Sequence, residues 1–325
     1  MALSSHTHSF SVLSVSKTAE NGNGRRRARM VVKMAASTSE MAAAFEEGQL
    51  ERPKWSGKTP LSRLVGALIA FKPLSSVLKL GARQVLIRTA EKGDIPWREM
   101  TKGDSGIRYY LNPFHAYDEG NLSWLAAAEA EPATMSMVRR AIPNASTVDE
   151  ANQVVRGNWL QAIEQHHLQY SRTTIIRDIL DIGCSVGVST RFLADKFPSS
   201  NVTGLDLSPY FLSKTLALHP QSFDLVSISY VFHECPERAI INILNEAFKL
   251  LRPGGTIVVS DQSPKSKILQ EMSPVLFTLL KSTEPFLDEY HLTDLEGRMK
   301  GVGFINVQTG LTDPRHRTLT ATVPC

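Results

Sequence analysis

From Ile175 onward the chain alternates β-rich apolar runs with helical stretches, and this constrains its fold more than any other feature. IIRDILDIG is an apolar run ending at Asp181, followed by the short helical stretch VSTRFLADKFP, which Pro198 closes. NVTGLDLS predicts a second strand and SPYFLSKTLALHP a second helix. FDLVSISYVF predicts a third strand, PERAIINILNEAFKLLRPGG a long amphipathic helix and TIVVSD a fourth strand. Strands that alternate with helices predict an α/β, doubly wound, mostly parallel sheet with helices on both faces. Further helical patterns follow at 266–283 and 292–301. GFINVQTGLTDPRHRTLTATVP then predicts two strands around an Asp313-Pro314 turn, so the sheet ends in an antiparallel hairpin.

One interval departs from this pattern. Asp206 ends the second run and Asp224 opens the third only eighteen positions later. Residues 214–222 contain no acid and no β-rich run.

Charge separates the amino terminus from the rest. The chain's net charge is +4, but residues 1–34 alone carry six basic residues and one acid. The remaining 291 residues are close to neutral, which argues against a general nucleic-acid binder. Residues 1–34 are Ser-rich, with the basic run RRRAR and no secretory apolar core; this composition predicts a chloroplast transit peptide. Residues 35–58 read as a linker. Three cysteines without zinc-ligand spacing argue against a disulfide framework and a structural metal. No apolar run reaches the ~18 residues of a membrane span.

Residues 59–170 read as a helical amino-terminal cap, ahead of a core domain over 171–325. Leu61, Leu64, Val65, Leu68 and Ile69 recur at helical spacing, and Pro73 should break the helix. Arg63, Lys72, Lys79, Arg83 and Arg88 accompany them with no acid before Glu91. Segment 60–88 could therefore lie on an anionic membrane or pack as a helical pair on the core. Two further helices are expected at 121–140 and 146–168, the second starting with a Ser146–Asp149 capping pair. Val148, Ala151, Val155, Trp159 and Ile163 share one of its faces. Tyr117, Trp124 and Trp159 could line an acceptor pocket, though core packing is the simpler account of each.

Doubly wound sheets bind ligands at the carboxyl ends of their strands, where strand order reverses. In DIGCSVG, Gly183 and Gly187 permit a tight turn, and the following helix directs its amides at a ligand. Asp206 could hold both hydroxyls of a ribose. A dinucleotide fingerprint would read G-x-G-x-x-G, whereas Ser185 stands at its second glycine and the strand ends in Asp181. A carboxylate there opposes a pyrophosphate and suits a nucleoside with a cationic end. A nicotinamide-dependent oxidoreductase is correspondingly disfavoured.

DIGCSVGVSTRFL, VTGLDLSP, FDLV and LRPGGTIVVSD, in this order over about 175–323, resemble the class I S-adenosylmethionine-dependent methyltransferases. The resemblance is to the type that includes quinone-biosynthesis C-methyltransferases, and with the amino terminus it looks like a plant plastid member. It implies a Rossmann-like fold and S-adenosyl-L-methionine as cofactor. It implies that Asp181, Gly183 and Gly187 line the methionine end, that Asp206 holds the ribose and that Leu207 lies against adenine. Cys184, Ser229 and Tyr230 complete the expected cofactor set. Members of the family place another strand and helix between the ribose acid and the FDLV strand. The short 207–223 interval thus implies that an edge strand and helix are missing, exposing a new sheet edge.

The end of the FDLV strand should face the transferred methyl group. His233 and Glu234 there are the candidates for a general base; alternatively His233 only shapes the pocket and positioning does the rest. Cys184 and Cys235 follow adjacent strands and could approach each other, with inert buried thiols as the alternative. The reading is a methyltransferase for a small-molecule acceptor, a lipophilic one being compatible with segment 60–88. Its alternative is a shortened, inactive form acting as a non-enzymatic binding protein.

Overall fold

The computed structural model describes residues 11–15, 45–57, 59–71, 124–206 and 218–325, with scattered positions between 77 and 95. Leu207, Tyr117, the helix expected at 208–220 and most of the 1–34 segment lie outside the described residues.

In chain order the amino-terminal elements are β1 (Ser11–Val15), α1 (Pro60–Ala70), α2 (Trp124–Ala141) and α3 (Val148–Tyr170). There follow β2 (Asp178–Ile182), α4 (Val188–Lys196), β3 (Asn201–Asp206) and β4 (Phe223–Ser229). A 3₁₀ turn, Phe232–Glu234, leads to α5 (Glu237–Leu250) and β5 (Leu251–Gln262). Helices α6 (Lys267–Gln270), α7 (Pro274–Thr283), α8 (Leu287–Leu292) and α9 (Leu295–Val302) precede the hairpin β6 (Ile305–Leu311) and β7 (His316–Thr322).

The sheet has the order β1-β3-β2-β4-β5-β7-β6. Strands β3, β2, β4 and β5 are parallel, and β7 and β6 close the far side antiparallel. The doubly wound sheet and terminal hairpin expected from the sequence are present. The edge of β3 is covered by β1, which pairs antiparallel from Ser11 opposite Asp206 to Val15 opposite Val202. A segment read from composition as an address thus contributes a strand at the edge that the short 207–223 interval was expected to leave bare.

The central strands are buried on both faces, as parallel strands between helical layers must be. Alternate residues feed separate cores. Leu180, Val226, Ile228, Ile257 and Val259 pack with Ile240 and Leu244 of α5. Ile179, Val202, Leu225 and Val258 pack with Trp159 and Ile163 of α3 and Leu193 of α4.

Helix α3 corrects the expectation of a separate cap. It packs on β5 and β7 and belongs to one helical layer of the sheet. Trp159 is a core residue, 2% exposed. Its start is also one residue later than the sequence predicts. Thr147 Oγ1 accepts from the Glu150 amide at 3.0 Å, while Glu150 Oε2 accepts from the Ser146 amide at 2.6 Å. That is a reciprocal capping box built on Thr147 and Glu150 rather than Ser146 and Asp149. Among the described residues no helix is long and apolar enough to cross a membrane, and no acid, His or Cys group could hold a metal.

Candidate functional site

Chain direction sets the position of the site. After β2 the chain moves outward to β3, then returns past β2 to β4, so the connections diverge at the carboxyl ends of β2 and β4. The loop after β2 and the turn after β4 meet at this point. Gly183 has φ +71°, and a Cβ added to it would lie 2.3 Å from Val231 Cγ2. Any side chain at 183 would therefore force the two loops apart. Ser185 at φ 51° and Tyr230 at φ 61° are also left-handed, an uncommon conformation outside glycine. Such strain concentrates where surrounding structure imposes a shape for function.

The carboxylate of Asp181 is enclosed beneath this loop, 1% exposed. Its Oδ2 accepts from Ser189 Oγ at 2.6 Å and Thr190 Oγ1 at 2.8 Å, and its Oδ1 from Ser227 Oγ at 3.0 Å. Burial raises its pKa above the ordinary carboxylate value despite these three donors. The sequence reading aimed this carboxylate at a ligand; the structure uses it to tie the start of α4 to β4. Gly187 caps α4 at φ 85° without a side-chain bond, which leaves the first-turn amides to other partners. Asp206, 9% exposed, accepts from the Ser185 amide at 2.8 Å through Oδ2. It stands at the end of β3, across the loop from Gly183, whose amide donates to the Leu205 carbonyl at 2.7 Å.

Cys184 is buried, and burial pushes its thiol far above the usual range. Burial likewise pushes Cys235 up to about 12. Both are free thiols and chemically quiet. Ser229 Oγ, at the end of β4, is buried without a hydrogen-bond partner. The Tyr230 ring is taken up by Arg156 at 5.1 Å and His316 at 5.0 Å. It packs toward α3 and β7, so a cofactor contact from Tyr230 would fall to its backbone.

His233 and Glu234 lie on the 3₁₀ turn after β4, and the structure adds a residue that the sequence reading missed. Asp261, at the end of β5 and fully buried, bonds His233 Nδ1 at 2.7 Å. The same carboxylate accepts from the amides of Phe232, His233 and Gln262. Burial opposes charge on the imidazole, but Asp261 overrides it and lifts His233 to about 10. Asp261 in turn is held below its ordinary value by His233 and these amides, against the effect of burial. The buried Asp261 carboxylate thus favours the protonated imidazole, which works against His233 as a base. Glu234 Oε1 stands 4.0 Å from His233 Nε2. Burial raises Glu234 to about 8, with Glu284, Asp261 and Asp206 reinforcing the shift. Glu284 is also buried and raised, and it accepts from Gln262 Nε2 at 3.2 Å. One signal for Asp261 was present in the sequence: it ends its strand in an acid, as Asp181 and Asp206 end theirs.

The site is thus the meeting of the β2 loop and the β4 turn at the sheet's switch point, turned by glycine and bordered by Asp206 at the end of β3. A carboxylate in that position suits a ligand with hydroxyls to donate. A nucleoside sulfonium bearing an ammonium fits its donor set: an acid at the β3 end, an uncapped helix start and an orphan hydroxyl at Ser229.

A family model described as "Methyltransferase domain" matches residues 136–309. The 2-methyl-6-phytyl-1,4-hydroquinone methyltransferase of Synechocystis sp. is 26% identical over 168 residues, covering 45% of this chain and 50% of that protein. The trans-aconitate 2-methyltransferase of Methylobacterium radiotolerans is 33% identical over 95 residues, covering 25% of this chain and 36% of that protein. These matches span only about a third to a half of those relatives' lengths. Among solved structures, human N-acetylserotonin methyltransferase with SAM is similar at 13% identity and TM-score 0.36, covering 83% of this chain and 99% of that one.

Proposed function

The chain belongs to the methyltransferase-domain family, and from that premise we propose that it methylates a small acceptor where the β2 loop meets the β4 turn. S-adenosylmethionine is the cofactor, and when bound it supplies an electrophilic methyl group on a sulfonium. The observation that carries the reading is the meeting of the β2 loop and the β4 turn at the strand ends, with Asp206 on the β3 side and the His233–Asp261 pair on the β5 side. Asp206 would hold the ribose hydroxyls, the backbone of 183–187 would accommodate the amino-acid end and Ser229 would donate from beneath.

His233, held charged by Asp261, orients an acceptor oxygen or carbonyl by donation. Glu234, raised by burial, is the group on this turn able to take a proton near neutral pH. This assignment divides the role first given to both residues. The Synechocystis relative's name makes a quinone-like, lipophilic acceptor the first class to assay. On the composition of residues 1–34 we place the protein in the plastid, which import of a fluorescent fusion would check.

The test is calorimetric titration of S-adenosylmethionine and its demethylated product into the full chain. Saturable binding weakened about tenfold or more by Asp206→Asn supports the site, the scale of one lost charge-assisted bond. A folded chain that binds neither compound overturns the reading and leaves a non-catalytic binding protein.

A further inference from the structure

Helix α1 buries Ser62 and Val65 and turns its leucines outward. Ser62, 5% exposed, donates to Asp288 Oδ2 of α8 at 3.3 Å and accepts from Lys281 Nζ of α7 at 2.9 Å. Leu64 by contrast is 59% exposed and Phe71, just past the helix, 63%. Leu61 and Leu68 are exposed as well. Helix α7, which the Ser62–Lys281 contact sets beside α1, leaves Val275 69% exposed in its own first turn, with Leu276 next to it. A surface helix that is apolar on its outward face ordinarily has something apolar to cover it.

The charge around it names the cover. Arg63 and Arg88 are exposed, and residues 60–90 carry five basic residues and no acid. From residue 35 onward the chain as a whole is close to neutral, so the sequence here is locally cationic. Exposed leucine and phenylalanine flanked by Lys and Arg match the interface of an anionic bilayer, where apolar side chains enter the acyl boundary and cations meet the headgroups.

We propose that the α1–α7 face is a docking surface for an anionic membrane. The surface also lies close to the site. Helix α8, which Ser62 grips through Asp288, carries Tyr290, whose ring centroid is 6.4 Å from that of His233. One short helix therefore separates the docking face from the 3₁₀ turn. If the site methylates a small acceptor, as proposed above, a lipophilic acceptor would reach it directly from the bilayer. That extension rests on the methyltransferase reading, whereas the docking does not.

The experiment is co-sedimentation of the full chain with phosphatidylcholine vesicles, with and without phosphatidylglycerol. Binding is expected to the anionic vesicles, to weaken with salt and to fall about tenfold or more in Leu64→Glu/Leu68→Glu, the scale of removing two leucines from an apolar interface. The pair is solvent-exposed, so its melting and cofactor titration should match the parent. Absence of binding to anionic vesicles, or equal binding by the double variant, overturns the proposal. So does a salt-stable dimer that the same substitutions dissociate. Vesicle binding by a chain that takes no S-adenosylmethionine would keep the docking surface and refute the methyltransferase reading.

Discussion

Asp261 Oδ1 stands 2.7 Å from Nδ1 of His233, and the same carboxylate gathers three backbone amides of the turns after β4 and β5. One buried charge thus fixes both the shape of the β4 turn and the charge of its imidazole. Asp261→Asn keeps the shape of the side chain and removes the charge. The imidazole then loses its partner, and burial should drive it neutral. Breaking such a buried pair costs about 3–5 kcal/mol, measurable by denaturant unfolding at pH 7. The pH dependence is specific. A histidine raised to about 10 contributes stability that is complete below its unfolded pKa near 6.5 and lost as pH rises through 10. The parent should lose stability across that window, and Asp261→Asn should not.

Glu234 predicts a different profile, read in the methyl-transfer rate. As a base it must be ionised, so the rate should rise with pH and level off above about 8. His233 keeps its proton throughout that range. Glu234→Gln should lower the rate by about 10²-fold or more and flatten the profile. A profile that keeps its inflection in Glu234→Gln would assign the proton to another group, with buried Glu284 the next to test.

On the opposite face of the sheet, β7 packs a polar seam against α3. His166 Nδ1 bonds Thr320 Oγ1 at 2.8 Å, and its Nε2 bonds Thr322 Oγ1 at 2.9 Å. With both nitrogens taken by hydroxyls and the ring 2% exposed, burial lowers its pKa to about 4. The unfolded chain binds a proton first, so the stability linked to His166 is complete above pH 6.5 and lost as pH falls toward 4. The size is roughly 3 kcal/mol, from about 1.4 kcal/mol per pKa unit. Thermal melts from pH 7 to 4 should show this loss, and His166→Gln should shrink it.

The fold was legible because it rests on local pattern. Apolar runs such as DILDI and VVSD carry β propensity, and the glycines of DIGCSVG mark a turn whatever surrounds them. The partners of Asp181 were not legible, since Ser189, Thr190 and Ser227 come to it only through helix and strand packing. Asp261 was missed for the same reason: its contact with His233 joins residues 28 apart in sequence. Helix α3 was misassigned to a cap because an amphipathic face states that it is buried but not against what. Which residues α1 buries was also out of reach, since periodicity groups Leu61, Leu64, Val65, Leu68 and Ile69 without saying that Val65 alone of them goes fully inside.

The pairing of Ser11 with Asp206 ties the amino terminus to the proposed ribose site. Removing residues 1–34, as a transit peptide would be removed, takes away β1 and bares the outer edge of β3. An unpaired edge is a template for another chain. A chain starting at Ala35 should therefore melt earlier, by an amount reflecting a five-residue ladder. With net bond values near 1 kcal/mol, that is about 2–4 kcal/mol. It should also self-associate with rising concentration in sedimentation velocity while the full chain does not. Affinity for S-adenosylmethionine should fall with it, because Asp206 ends the strand whose support is lost. Equal melting, equal affinity and a monomer would show that β3 holds its shape without β1.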